Sequence, residues 1–226
     1  MKEFAKSDST VQHKASALLI IFLLVCVYIA LWLESNPNKN ENLYLTKVYS
    51  SNKGMALLNI HTFPDPILRK KALPVTDFDQ SLDDTAQSML ETMYVSSGIG
   101  LAAIQAGILK QIIVIDLKSG EEDISLREPH IFVNPKILKK YGSTVSEEGC
   151  LSVIDFRGDV ERAEKISVEY QDVKGNIHQM EAEEMMSICL QHEIDHLNGI
   201  LFIDHLPVLK QKMVKKKLTK LAMANA

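Results

Sequence analysis

The segment His192-Glu193-Ile194-Asp195-His196 restricts the fold more than any other stretch of this chain. Residues four apart share one face of a helix, so His192 and His196 can aim both imidazoles at one metal ion if the segment is helical. Glu193, between them, can stand beside a water on that ion and take its proton. The remaining ligand and the groups that stabilise negative charge must come from other segments. The pattern therefore means metal-assisted hydrolysis and leaves the substrate open. A helix with two surface histidines and an ordinary Glu–His contact would spell the same letters.

The flanking sequence supplies the elements. Ser81 reads as a helix N-cap with Asp83 and Asp84 in the first turn, and Leu82, Ala86, Met89, Leu90, Met93 and Tyr94 follow a helical apolar period. Gly98 and Gly100 break it. Gln111 to Asp116 and Ile131 to Val133 are strand-like, the latter just before Asn134-Pro135. Ile166 to Tyr170 and Ile177 to Met180, around Lys174-Gly175-Asn176, predict a hairpin. A helix from Glu183 to Asn198 carries the histidines and ends at Gly199. Phe63-Pro64-Asp65-Pro66 predicts a turn. There is no repeated βαβ unit, so the fold class is α+β.

A catalytic site of this kind normally has three protein ligands and an open position. Of the two cysteines in this part of the chain, Cys189 lies on the same helix as His196. Seven residues at 1.5 Å each separate their Cα atoms by about 10 Å along the axis. Bonds of about 2.0–2.3 Å can hardly span that, so Cys189 reads as packing or pocket wall. Cys150, in Glu147-Glu148-Gly149-Cys150-Leu151-Ser152, is on a separate segment and is the leading third ligand. In Gly98-Ile99-Gly100-Leu101-Ala102-Ala103-Ile104-Gln105, small residues permit close backbone approach and Gln105 brings an amide donor for an oxyanion.

These three segments, G-I-G-L-A-A-I-Q, E-G-C-L-S and Q-H-E-I-D-H-L-N-G, resemble in order and spacing the signature motifs of the peptide deformylase family. The resemblance runs from about Met55 past Leu201 and includes Phe63 to Arg69 and Asn134-Pro135. It implies short antiparallel strands packed around a central metal-binding helix, with a C-terminal helix. It implies Cys150, His192 and His196 as ligands to one Fe(2+), with Zn(2+) or another divalent metal as substitute. Glu193 would be the general acid/base, and Gln105 with the backbone N–H of Leu151 the oxyanion donors. Ile99, Gly100, Leu151, Arg157 and Cys189 would contact substrate, with a further substrate or supporting role for Arg162. The implied substrate is the N-terminal formyl-methionine of newly synthesised polypeptides, with release of formate. Ile154 departs from the proline common in the family after E-G-C-L-S. The rivals are a zincin-type metallopeptidase, whose ligand set ordinarily lacks cysteine, and an inactive relative acting as a ribosome- or membrane-associated binding protein.

Residues 55–226 form the expected catalytic domain. Before it, Ala15 to Leu33 is a run of 19 residues without a charge. As a helix it would be roughly 28 Å long, close to a bilayer's hydrocarbon core. We read 15–33 as a transmembrane or targeting segment, 1–14 as its flank and 34–54 as a polar linker; a bipartite organelle leader or a start at Met55 are the alternatives. At the other end, His205 to Ala226 holds six lysines and no acidic residue, with Leu206, Leu209, Met213, Leu218 and Leu221 near helical spacing. This predicts a helix packed by one face, and allows contact with the ribosome through the lysines. The net charge of -4 gives no footprint for sequence-specific nucleic acid binding. Three scattered cysteines (Cys26, Cys150, Cys189) fit no disulfide framework and suit a reducing compartment, cytoplasm or organelle matrix.

Overall fold

The computed structural model describes residues 57–121 and 123–224. The flank 1–14, the apolar run 15–33 and the linker 34–54 lie outside the described residues. Among the described residues no helix is long and apolar enough to cross a membrane.

Three helices and seven strands make up the described part: α1 (Gln80–Val95), β1 (Gly100–Ala102), β2 (Ile112–Ile115), β3 (His130–Tyr141), β4 (Thr144–Cys150), β5 (Val153–Arg162), β6 (Lys165–Gln171), β7 (Ile177–Glu183), α2 (Glu184–Leu197) and α3 (Val208–Ala224). Five strands form one antiparallel sheet in the order β1-β2-β3-β6-β7, while β4 and β5 pair as a separate hairpin. The class is α+β, as expected.

Strand β2 is apolar at every position because both of its faces are covered. Ile113 and Ile115 pack with Leu190 and Leu197 of α2, whereas Ile112 and Val114 pack with Leu82, Met89 and Met93 of α1. The sheet thus lies between the two helices, and α2 is central. Its end is set by Gly199, at φ 74°, whose absent Cβ would stand 2.5 Å from the Arg69 carbonyl oxygen. Any other residue there meets both backbone strain and a clash.

Three local expectations change. Helix α1 is capped two residues earlier than expected: Asp79 accepts from Leu82 N–H at 3.2 Å, and Ser81 sits inside the first turn. An acidic acceptor there also suits the positive end of the helix. Strand β3 continues through Asn134-Pro135 instead of ending there. A register shift absorbs the proline, and Asn134, at φ 51°, uses its side-chain amide to accept from Val75 N–H and donate to Val75 C=O. The side chain thereby replaces ladder bonds that proline cannot make. In α3, Val214 and Leu218 are buried against Phe202 and Leu206, but Leu209, Met213 and Leu221 are exposed. The inward face is narrower than the apolar spacing implied.

Candidate metal centre

Helix α2 and the end of β4 meet at the polar centre of the molecule. Cys150 Sγ stands 3.2 Å from His196 Nε2, which stands 3.2 Å from His192 Nε2. The three ligand atoms all lie within 4.8 Å of one another. Two ligands on a tetrahedral ion at about 2.0–2.3 Å are roughly 3.3–3.7 Å apart, so this set fits a single cation.

The orientation of His192 fits as well. Its Nδ1–H donates to Glu148 Oε2 at 2.8 Å, which leaves the Nε2 lone pair facing Cys150 and His196. Glu148 is gripped in turn by Arg162, whose Nε and Nη2 donate to its two oxygens at 2.7 and 3.0 Å. Arg162 also donates to Asp195, which pairs with His205 Nε2 at 2.7 Å. A chain of hydrogen bonds thus runs from His192 to His205 at the surface. Burial by itself would raise the Glu148 carboxyl, but the His192 and Arg162 hydrogen bonds and the Arg162 charge hold it at about 2. Burial opposes charge on His192 too, yet Cys150 and Glu148 push its pKa well up. On His196, burial and the His192 and Arg162 charges act together and push it well down.

Glu193, next to His192 on α2, lines the same cavity and lies against β1. A Cβ on Gly100 would lie 2.6 Å from Glu193 Oε1 and 2.9 Å from Cys189 Sγ, so only glycine admits both side chains. Burial, reinforced by the Glu148 charge, raises Glu193 to about 7 against the pull of His192. Its Oε2 is buried without a hydrogen-bond partner among the described residues. A carboxyl of that pKa can accept and return a proton near neutrality.

Gln105 is fixed by its own carbonyl. Oε1 accepts from Ala102 N–H at 2.8 Å, which turns the NH2 group toward Ser152 Oγ at 3.1 Å and Cys150 Sγ at 3.6 Å. The segment before α1 ties down both residues: His61 N–H donates to Gln105 C=O and Phe63 N–H to Ser152 C=O, each at 2.8 Å.

A cavity of about 710 Å³ opens over the site. Every site residue named from the sequence lines it except His196, which is fully buried behind, and Arg162, which lies behind Glu148. Ile99, Gly100, Leu151, Arg157 and Cys189 form its wall, with Ile154 and Met185 also lining it. Cys189 is outside the ligand cluster, as the helix geometry required, and burial raises its thiol pKa. Sequence reasoning overlooked Glu148, Ser152 and the Asp195–His205 pair. The only local signal for Glu148 is its place two residues before Cys150, and it needs β4, which the sequence did not reveal.

The sequence pattern of the polypeptide deformylase family matches residues 57–212. A peptide deformylase of Mesorhizobium japonicum is 51% identical over 164 residues, covering 72% of this chain and 92% of the relative. One from Alkalilimnicola ehrlichii is 47% identical over 167 residues, covering 74% and 92%. The crystal structure of a peptide deformylase from Legionella pneumophila superposes with a TM-score of 0.68 at 41% identity, covering 75% of this chain and 98% of that one. The fold agrees with that likeness, and the chain belongs to the peptide deformylase family.

Proposed function

We propose that Cys150, His192 and His196 hold the divalent ion with which this chain removes the formyl group from N-terminal formyl-methionine of new polypeptides, releasing formate. The observation that carries the assignment is the meeting of three ligand atoms beside a buried carboxyl that has one oxygen unpartnered among the described residues. Fe(2+), one per chain, is the ion this reading takes, with Zn(2+) as substitute; two nitrogens and a sulfur accommodate either. An ion held here supplies a Lewis acid that polarises a carbonyl and makes water nucleophilic near neutral pH.

The residues of the chain do the rest. Glu193 takes the proton of the attacking water and delivers it to the leaving amine, so the bond between formyl carbon and nitrogen breaks as a free amino terminus forms. The Gln105 amide, already turned toward Cys150, and the N–H of Leu151 hold the oxygen that becomes negative. Ile99, Gly100, Leu151 and Cys189 bound the space for the methionine side chain, and Arg157 stands at the cavity wall for the peptide beyond it. Among the described residues β1 is an edge strand paired only with β2, so its other side can take an extended peptide backbone.

Residues 55–226 are the catalytic domain in this reading, and a thiolate ligand keeps it in a reducing compartment. The segment 15–33 is its anchor or targeting signal. Family membership removes the zincin reading, and the presence of Glu193 and all three ligands speaks against an inactive relative. Formate release from formyl-methionyl peptides, with metal analysis on the same sample, is the test. Turnover of unformylated peptides, or no formate from an iron-loaded anaerobic preparation, overturns the assignment.

A further inference from the structure

We propose that the outward face of α3 docks on an anionic lipid surface. The helix is held to the domain from one side only. Val214 and Leu218 enter the cluster formed with Phe202 and Leu206, Gln211 Nε2 donates to the Asp204 and Leu206 carbonyls, and Lys215 pairs with Asp204 at 2.7 Å.

The opposite side is of another kind. At 3.6 residues per turn, Leu209, Met213, Lys216, Lys220 and Met223 fall within an arc of about 80°, with Lys212 and Lys217 on its two flanks. Leu209 is 72% exposed, Met213 65% and Met223 77%. Among the described residues no carboxylate pairs with Lys212, Lys216, Lys217 or Lys220, and the sequence has no acidic residue after Asp204.

Charge by itself fits any polyanion; the exposed apolar residues choose among them. Nucleic acid phosphates are met by lysines and gain nothing from leucine and methionine on the same face. An anionic bilayer takes both. The ammonium groups stay among the headgroups while their stems, with Leu209, Met213 and Met223, lie in the boundary with the acyl chains. The chain as a whole is acidic, with net charge -4, so its net charge does not draw it to an anionic surface and the attraction of α3 is local. None of the residues lining the cavity belongs to α3, so a docked enzyme keeps its cavity open.

The test uses the full chain and vesicles of phosphatidylcholine with and without phosphatidylglycerol, read by cosedimentation. The apolar run at 15–33 would bind both kinds of vesicle and the lysines beside it would favour anionic ones, so the contribution of α3 is the part of the salt-removable excess that the α3 variants lose. Each lysine at such a surface is worth roughly fivefold. The triple variant Lys212→Glu, Lys216→Glu, Lys220→Glu is expected to lower the excess by about 100-fold or more. The pair Leu209→Ser, Met213→Ser is expected to lower it by about tenfold. Both variants should release formate at the parent rate, which verifies that they fold. An excess that is absent in the parent, or equal in all three proteins, overturns the proposal. So does an excess that falls with the lysines and ignores the apolar pair, since that is contact with a polyanion in general. Loss of ribosome cosedimentation in the triple variant with unchanged vesicle binding would make ribosomal RNA the occupant and overturn it too.

Discussion

Helix α2 buries Gln191, His192, Glu193 and His196, whereas α3 leaves Leu209, Met213 and Met223 in solvent. Both break the pairing of apolar with inside and polar with outside, in opposite directions. In α2 the exception is held in place by partners. Gln191 accepts from Ala163 N–H at 3.0 Å and donates to its carbonyl at 2.9 Å, and His192 is tied through Glu148 and Arg162 to Asp195. Only Glu193 Oε2 and His196 Nδ1 are left among the buried atoms of α2 without a partner in the described structure. In α3 nothing within the described residues covers the exception. An inward polar face thus points to chemistry inside the molecule, and an outward apolar face to something met outside it.

The largest effect separates holding the ion from moving the proton. Glu193→Ala is expected to keep the metal content of the parent and to lose about 10²–10⁴-fold in turnover of formyl-methionyl peptides. Cys150→Ala is expected to lose the metal itself, because the two remaining ligands share one short helix. Metal per chain and formate release, measured on the same preparations, distinguish the two losses. Parent turnover in either variant would overturn the roles given to Glu193 and Cys150.

Glu148 tests the support behind the ligands. Glu148→Ala leaves Arg162 buried with one carboxylate fewer, a change that typically costs about 3–5 kcal/mol. It also frees the His192 ring, for which about 10–100-fold weaker metal binding is expected. Glu148→Gln keeps the shape and serves for pH. The Glu148 carboxyl titrates at about 2 in the folded protein against 4.5 ordinarily, so the unfolded chain binds more protons between those values. Its stabilisation is complete above pH 4.5 and is lost as the pH falls toward 2. Thermal midpoints across that window should fall less steeply in Glu148→Gln than in the parent; parallel slopes would mean that Glu148 is not held by Arg162 and His192.

What could be read from the sequence followed from local rules. The spacing of His192 and His196, the stop at Gly199 and the 166–180 hairpin all depend on neighbours in the chain, and the structure has each of them. The β4–β5 hairpin was missed because the alternating inward positions of β5 are Gly158, Val160 and Arg162, of which only one is apolar. The Arg162–Glu148–His192 chain was missed for another reason: it joins β5, β4 and α2, and no local pattern announces the contact of Glu148 with His192, 44 residues on. Asn134-Pro135 misled because the compensating partner, Val75, lies 59 residues away.

The smallest effect concerns the two sides of α3, and its smallness is the point. Leu218→Ala removes a side chain packed with Leu206 and Phe202 and is expected to cost about 2–3 kcal/mol in denaturant unfolding. Met213→Ser, five residues earlier and on the exposed side, is expected to change stability by no more than about 0.5 kcal/mol. If folding were the reason for Met213, its replacement would register in the midpoint. A silent Met213→Ser beside a costly Leu218→Ala means that the outward apolar residues do nothing for the isolated domain. A loss comparable to that of Leu218→Ala would instead mean that the side chain is covered by another part of the same chain, and the opposition between α2 and α3 would disappear.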